Sequence, residues 1–365
     1  MTSRRLGGCS APRTWGGSFD GHTEPPLLDG MLVIPRGNVK TLEHNPQSLG
    51  EPALVKKQMA KTLTAAMKSK LIAPFFMAGS KQFSSGPLSP LPPTEIIQPG
   101  YYFGREPFGP AHGVQVSNGS DGLPKFVNWL QVPGAVPQCE IQLKCEASYI
   151  IAGLGSISSL NYLTNKASIH LSAQHILDGN TVTNHGCEGG WAQNVFDFIT
   201  RNGGVVSETD YRYRGIRGPC KAIEAAGVTI ANWAAVEPTE EAVKYAVAYQ
   251  PVVASIYTNS KFRRYSKGFL EVPRNPGPVN HSVLLLGYGE CPLQGEYWIG
   301  MSSYRNRRRW GITWRGQYHN IFFLPRNTCH VEGALRVLTN VVLPLGASMV
   351  PKVKTRSESC PACFK

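Results

Sequence analysis

Cys145 stands in the run QLKCEASYIIAGL, residues 142 to 154, between a lysine and a glutamate at the start of a segment that reads as a helix. A thiol at a helix N-terminus gains acidity from the positive end of the helix dipole, and a nearby cation adds to it. A thiolate beside an imidazolium is a ready nucleophile at neutral pH. The same residue has a plainer reading, because unpaired cysteines are among the most buried residues and are usually inert. Among the nine histidines, His281 alone sits in a motif, at the head of the apolar run HSVLLLGYG. His170, His175, His185, His319 and His330 read as structural or exposed.

The elements that would position these groups begin near Leu123. Apolar spacing predicts helices over Cys145–Leu163, Leu171–Asp178, Gly190–Arg201 and Thr239–Val247. Strand-like runs follow at VVASIY (252–257), HSVLLLGYG (281–289), EYWIGM (296–301) and NIFFL (320–324). Helices first and strands later predict an α+β protein with a helical half and a sheet half, and a cleft between two such halves is a natural site. Residues 1–122 read as an N-terminal extension. Within it, Val55, Met59, Leu63, Met67 and Leu71 recur four apart among lysines, which predicts an amphipathic helix near 54–73, closed by Pro74. Residues 79–122 read as a linker, and Asn118-Gly-Ser matches the glycosylation acceptor pattern. Residues 341–365 read as a tail ending in a Cys-x-x-Cys pair, Cys360 and Cys363, either a metal or redox signal or a free flexible end.

Composition narrows the classes of function. With 365 residues and 42% hydrophobic content the chain can bury a sizeable core. No run of about 18 apolar residues is present, which excludes a membrane-spanning helix. The first residues lack the apolar middle of a secretory signal, while Arg4, Arg5 and Arg13 would suit an organelle presequence. A formal charge of +13 favours acidic partners. Basic residues are spread out, with 12 Lys or Arg against 7 Asp or Glu in residues 1–120 and a dense run at Arg305–Trp310. No zinc-finger, RNA-recognition or phosphate-loop signature accompanies them, so nucleic acid is compatible with the charge but marked by no motif.

Several stretches resemble the papain-like cysteine peptidases. GCEGGWAQNVFDFITRNGGVVSETDYRYRG (186–215) is similar to that family's Gly-Cys-x-Gly-Gly turn, helix and Tyr-x-Tyr series. LSAQHILD (171–178) is similar to its Leu-Ser-Glu-Gln-x-Leu-x-Asp segment, and VNHSVLLLGYG with EYWIGMSS to its histidine strand and the next one. LPKFVNWL resembles the start of the mature enzymes, and LPK with CEGG leans toward the cathepsin X branch. The resemblance covers about residues 123–340. It implies a two-lobed papain-like fold, no cofactor or metal, and a peptide or protein substrate. It also implies Cys145 as nucleophile, His281 as general base, and Gly189 and Gly190 as the place where a substrate backbone lies close; those glycines also read as a plain tight turn.

The same resemblance exposes departures. The family segment Cys-Gly-Ser-Cys-Trp meets Gln142-Leu143-Lys144-Cys145-Glu146 here, and the oxyanion glutamine, six residues before the nucleophile, meets Cys139. Gln138 and Gln142 flank that place as substitutes. Ser302 stands for the orienting asparagine and Tyr304 for the sheltering tryptophan, with Arg307 to Arg309 inserted. Cys187, Cys220 and Cys329 match one end each of three family disulfides, and the other ends fall on Gln142, Gly179 and no evident cysteine. Cys139 with Cys187, or Cys291 with Cys329, are alternative pairs. Unpaired halves point to a reducing compartment, cytosol or mitochondrial matrix. Two functions follow: an impaired cysteine peptidase, or a silent papain-fold scaffold subunit held through its N-terminal extension in a larger assembly, such as a mitochondrial one.

Overall fold

The computed structural model describes residues 95–99, 101, 119, 121–304, 312–314, 317–328, 330–355 and 357–358, with backbone alone at 312–314 and 317–319. The helix expected near 54–73, Asn118, Arg305–Trp310, Cys329 and the Cys360/Cys363 pair lie outside these residues.

Helix α1, Ser148–Asn165, is the central element. Nearly every residue in it is buried, so it has no polar face to speak of. Its small residues explain the fit: a Cβ on Gly155 would stand 3.1 Å from Leu284, and one on Gly153 3.6 Å from Phe196. Lys166 ends the helix in the left-handed conformation. Helix α2, Ala173–Gly179, is capped by Ser172, whose hydroxyl accepts from the His175 amide at 3.0 Å. Helix α3, Ala192–Asn202, stops at Gly203 with φ of 77°. Helix α4, Glu240–Tyr249, starts on the Thr239 cap with Glu240 and Glu241 facing the positive end of its dipole.

The strands are β1 (Ile96–Ile97), β2 (Val127–Asn128), β3 (Val205–Val206), β4 (Glu224–Val236), β5 (Val252–Ile256), β6 (His281–Cys291), β7 (Gly295–Met301), β8 (Ile312–Trp314), β9 (Gln317–Pro325) and β10 (Val341–Lys354). They join in one sheet of order β1-β4-β10-β5-β6-β7-β9-β8, with β2 on β6 and β3 on β4. Alternate residues of the inner strands feed two cores. Val283 and Leu285 pack with α4, Trp129 and Trp298, whereas Leu284 and Leu286 pack with α1, α2 and α3. Burial on both faces is why β5 and β6 read as unbroken apolar runs.

Two expectations need correction, and one strand goes beyond them. Residues 341–354 are not tail: β10 lies between β4 and β5, pairing Val342 with Ala235 and with Val253. Ile96 and Ile97, read as linker, pair in parallel with Ala235 and Val236, and Ile97 is fully buried. The long strand β4, EAAGVTIANWAAV, was not anticipated, because its alanines and glycine hide any alternation.

Candidate active site

Helix α1 opens at Ser148, three residues after Cys145. Cys145 lies in the preceding bend, fully buried, and is disulfide-bonded to Cys187 on the Gly186–Glu188 turn, with Cα atoms 4.4 Å apart. The Glu146 amide donates to the Cys187 carbonyl at 3.0 Å, which holds the two backbones side by side. A sulfur in that bond is neither a thiolate nor a partner for His281. The nucleophile assignment for Cys145 therefore fails in this structure. So does one premise of the reducing compartment, since Cys187 is not an unpaired half.

The side chain at the helix N-terminus is Ser148. It is buried, and its Oγ accepts from the Ser282 amide at 3.1 Å, which ties the start of α1 to the start of the histidine strand. No side chain caps the helix at Ala147, so the positive end of α1 is directed at this position.

His281, the first residue of β6, is fully buried. Its Nε2 meets Ser302 Oγ at 2.9 Å, and Ser302 Oγ also accepts from the Tyr304 amide at 3.4 Å. The Tyr304 ring stacks on the imidazole with centroids 3.9 Å apart, and Phe262 meets it edge-on at 6.1 Å. Nδ1 is buried without a hydrogen-bond partner. Burial, with the Arg263 guanidinium adding to it, pushes the imidazole pKa down to about 3, so the ring is neutral at neutral pH.

Gln142 is buried beside these groups. Its amide nitrogen donates to the Ser303 carbonyl at 3.0 Å, its Oε1 accepts from Ser303 Oγ at 2.7 Å, and its Nε2 donates to Glu146 Oε2 at 3.0 Å. Counted from Ser148, the glutamine six residues earlier is Gln142. In the same register Cys-Gly-Ser-Cys-Trp falls on Cys145-Glu146-Ala147-Ser148-Tyr149. Sequence reasoning missed Ser148 because it anchored the register on the cysteine. The six-residue spacing back to Gln142 was the signal that could have found it.

The remaining candidates lie differently. Gln138 is exposed and lines a shallow pocket with Cys139, His170, Leu171 and Met301, which includes neither Ser148 nor His281. Cys139 is free, and its Sγ donates to the Ser302 carbonyl at 3.4 Å; burial pushes its pKa up to about 12, which makes it inert. Gly189 and Gly190 are buried. The Gly189 carbonyl accepts from the His185 amide, and a Cβ on Gly190 would stand 2.2 Å from Asn184 Oδ1 and 2.8 Å from Tyr149. Packing alone thus demands glycine at 190. Among the described residues no group of three His, Cys, Asp or Glu could hold a metal ion.

Comparison with known proteins agrees with this geometry. The model of the papain family cysteine protease matches residues 123–337. The cysteine proteinase RD21A of Arabidopsis thaliana is 33% identical over 199 residues, 53% of this chain and 41% of that protein. The probable cysteine protease RDL3 of Arabidopsis thaliana is 34% identical over 226 residues, 59% of this chain and 58% of that protein. The chain thus spans between about two fifths and three fifths of the length of these relatives. Among solved structures, the ragweed pollen allergen Amb a 11 cysteine protease in its proform superposes with a TM-score of 0.55 at 26% identity, covering 61% of this chain and 67% of that one. The bromelain protease of Ananas comosus, in complex with the E64 inhibitor, gives 0.53 at 26% identity, with 61% and 100% covered. The fold is the α+β papain fold, and the chain belongs to the papain family of cysteine proteases.

Proposed function

We propose that this chain keeps the papain fold and its groove as a binding scaffold and does not cleave peptide bonds by thiolate chemistry. The observation that carries the reading is the pairing of Cys145 with Cys187, which leaves Ser148 as the side chain at the head of α1. A serine hydroxyl stays protonated at neutral pH and needs a hydrogen-bonded, oriented base to attack a carbonyl. Here Ser148 Oγ is engaged by the Ser282 amide, and His281 Nδ1 has no partner. Glu146 adds a second obstacle. Its carboxylate occupies the Gln142 Nε2 donor and sets negative charge where a substrate oxygen would have to become negative. Loss of one such donor costs roughly a hundredfold to a thousandfold in rate. The net charge of +13 and the long N-terminal extension suit a subunit of a larger assembly.

The test is hydrolysis of fluorogenic peptides by the full chain, with labelling by an electrophilic peptide that traps activated thiols. The expected outcome is no turnover and no label on residue 145 or 148, while Ser148→Cys acquires a label at 148. Turnover by the unsubstituted chain that disappears in Ser148→Ala would overturn the proposal and make the groove a serine-dependent hydrolase.

A further inference from the structure

Two loops meet beside the Cys145–Cys187 bond, residues 142–144 and residues 213–217. Leu143 adopts φ of 61° and Gly215 φ of 67°. A branched L side chain is strained in that region, and such strain persists where the surroundings hold it and a site uses it. Both loops are held. The Tyr213 hydroxyl donates to the Gln142 carbonyl at 3.0 Å, and a Cβ on Gly215 would lie 2.7 Å from Leu143 Cδ1, so the leucine fills the space that glycine leaves. The result is an apolar pair facing solvent, with Leu143 50% and Ile216 70% exposed.

Positive charge flanks the pair. Lys144 and Arg217 are exposed and pair with no carboxylate among the described residues, and Arg214 keeps its side chain 45% exposed while bridging buried Asp178 at 2.9 Å. Arg217 lies against Gly186 on the turn that carries Cys187. The acids nearby are Glu146, held by Gln142 Nε2, exposed Glu188, and Glu140 and Glu208 beside Tyr213, whose amide donates to Glu208 at 2.6 Å.

We infer that the rim formed by Leu143, Lys144, Arg214, Ile216 and Arg217 docks an acidic peptide segment bearing large apolar side chains, supplied by a partner protein. Charge complementarity sets the sign of the ligand, and the apolar pair gives it an anchor that charge alone lacks. The patch is a few side chains wide, and no aromatic platform for bases stands out among its exposed residues, which favours a peptide over a lipid surface or nucleic acid. Docking here is independent of whether the groove beside it hydrolyses.

The test is fluorescence anisotropy of a short fluorescein-labelled peptide of glutamate and leucine, titrated with the full chain. Saturable binding is expected, weakened roughly tenfold or more by Lys144→Glu with Arg217→Glu and by added salt. Leu143→Gly is the discriminating variant, because glycine relieves the positive φ: the melting temperature should hold or rise while the affinity falls. The Ser148→Ala chain should bind the peptide unchanged. The inference is overturned if the rim variants bind as the unsubstituted chain does, or if a leucine-free glutamate peptide binds equally well. It is also overturned if an oligonucleotide or phosphatidylserine vesicles bind more tightly through the same residues.

Discussion

Buried titratable side chains give this fold opposing responses to pH. His281 and His175 are each pushed down to about 3 by burial, with Arg263 also acting on His281. Each ring stays neutral when folded and takes a proton near 6.5 only when the chain unfolds, so acidification from 6.5 toward 3 destabilises the fold. Glu208 runs the other way. Burial, joined by Glu140, lifts its carboxyl from 4.5 to about 7, against the Tyr213 amide bond and Arg212, and its Oε2 is buried without a partner. The folded chain therefore holds that proton between 4.5 and 7, and the stability it brings is lost as pH rises through 7. Glu208→Gln should raise the melting temperature by a few degrees at pH 8 and leave it nearly unchanged at pH 5, in thermal melts across that range. An equal change at both values would contradict the account.

Among the elements, the turn before α3 shows how packing fixes a residue type. A Cβ at position 190 meets Asn184, whose Oδ1 also accepts from the Trp191 amide at 2.8 Å and so sets the start of the helix. Gly190→Ala should cost about 1–3 kcal/mol as overpacking, read as a lowered denaturant midpoint with an unchanged slope. The four helices were legible because 3.6-residue spacing and capping residues such as Ser172 and Thr239 mark them locally. Strands β5, β6, β7 and β9 were legible as apolar runs. Strand β10 was not, because Pro344 and Gly346 break its pattern, although the Pro344 carbonyl still accepts from Gln250 Nε2 at 3.0 Å. At the site, motif order singled out His281 and Ser302, whereas Gln142 stood only beside Gln138 as a substitute for the position given to Cys139. The Cys145–Cys187 bond was not, since pairing depends on which backbones the fold brings together.

Across the whole molecule, one sheet serves both cores, and its continuity depends on a strand from the far end of the sequence. Deleting residues 340–365 removes β10 from between β4 and β5, and uncovers Val253 and Ala235. The shortened chain should show no cooperative thermal transition; a sharp melt near that of the full chain would refute the topology. The site depends on the same assembly, since the sheet brings Ser282 to the head of α1 and Ser302 to His281, and the turn at Cys187 is bonded to Cys145. The most direct measurement is a digest of the unreduced, iodoacetamide-treated full chain, read by mass spectrometry. A peptide linking Cys145 to Cys187, with neither residue alkylated, is the predicted result. Alkylated Cys145 in most of the folded protein would restore it as a free thiol and contradict the account.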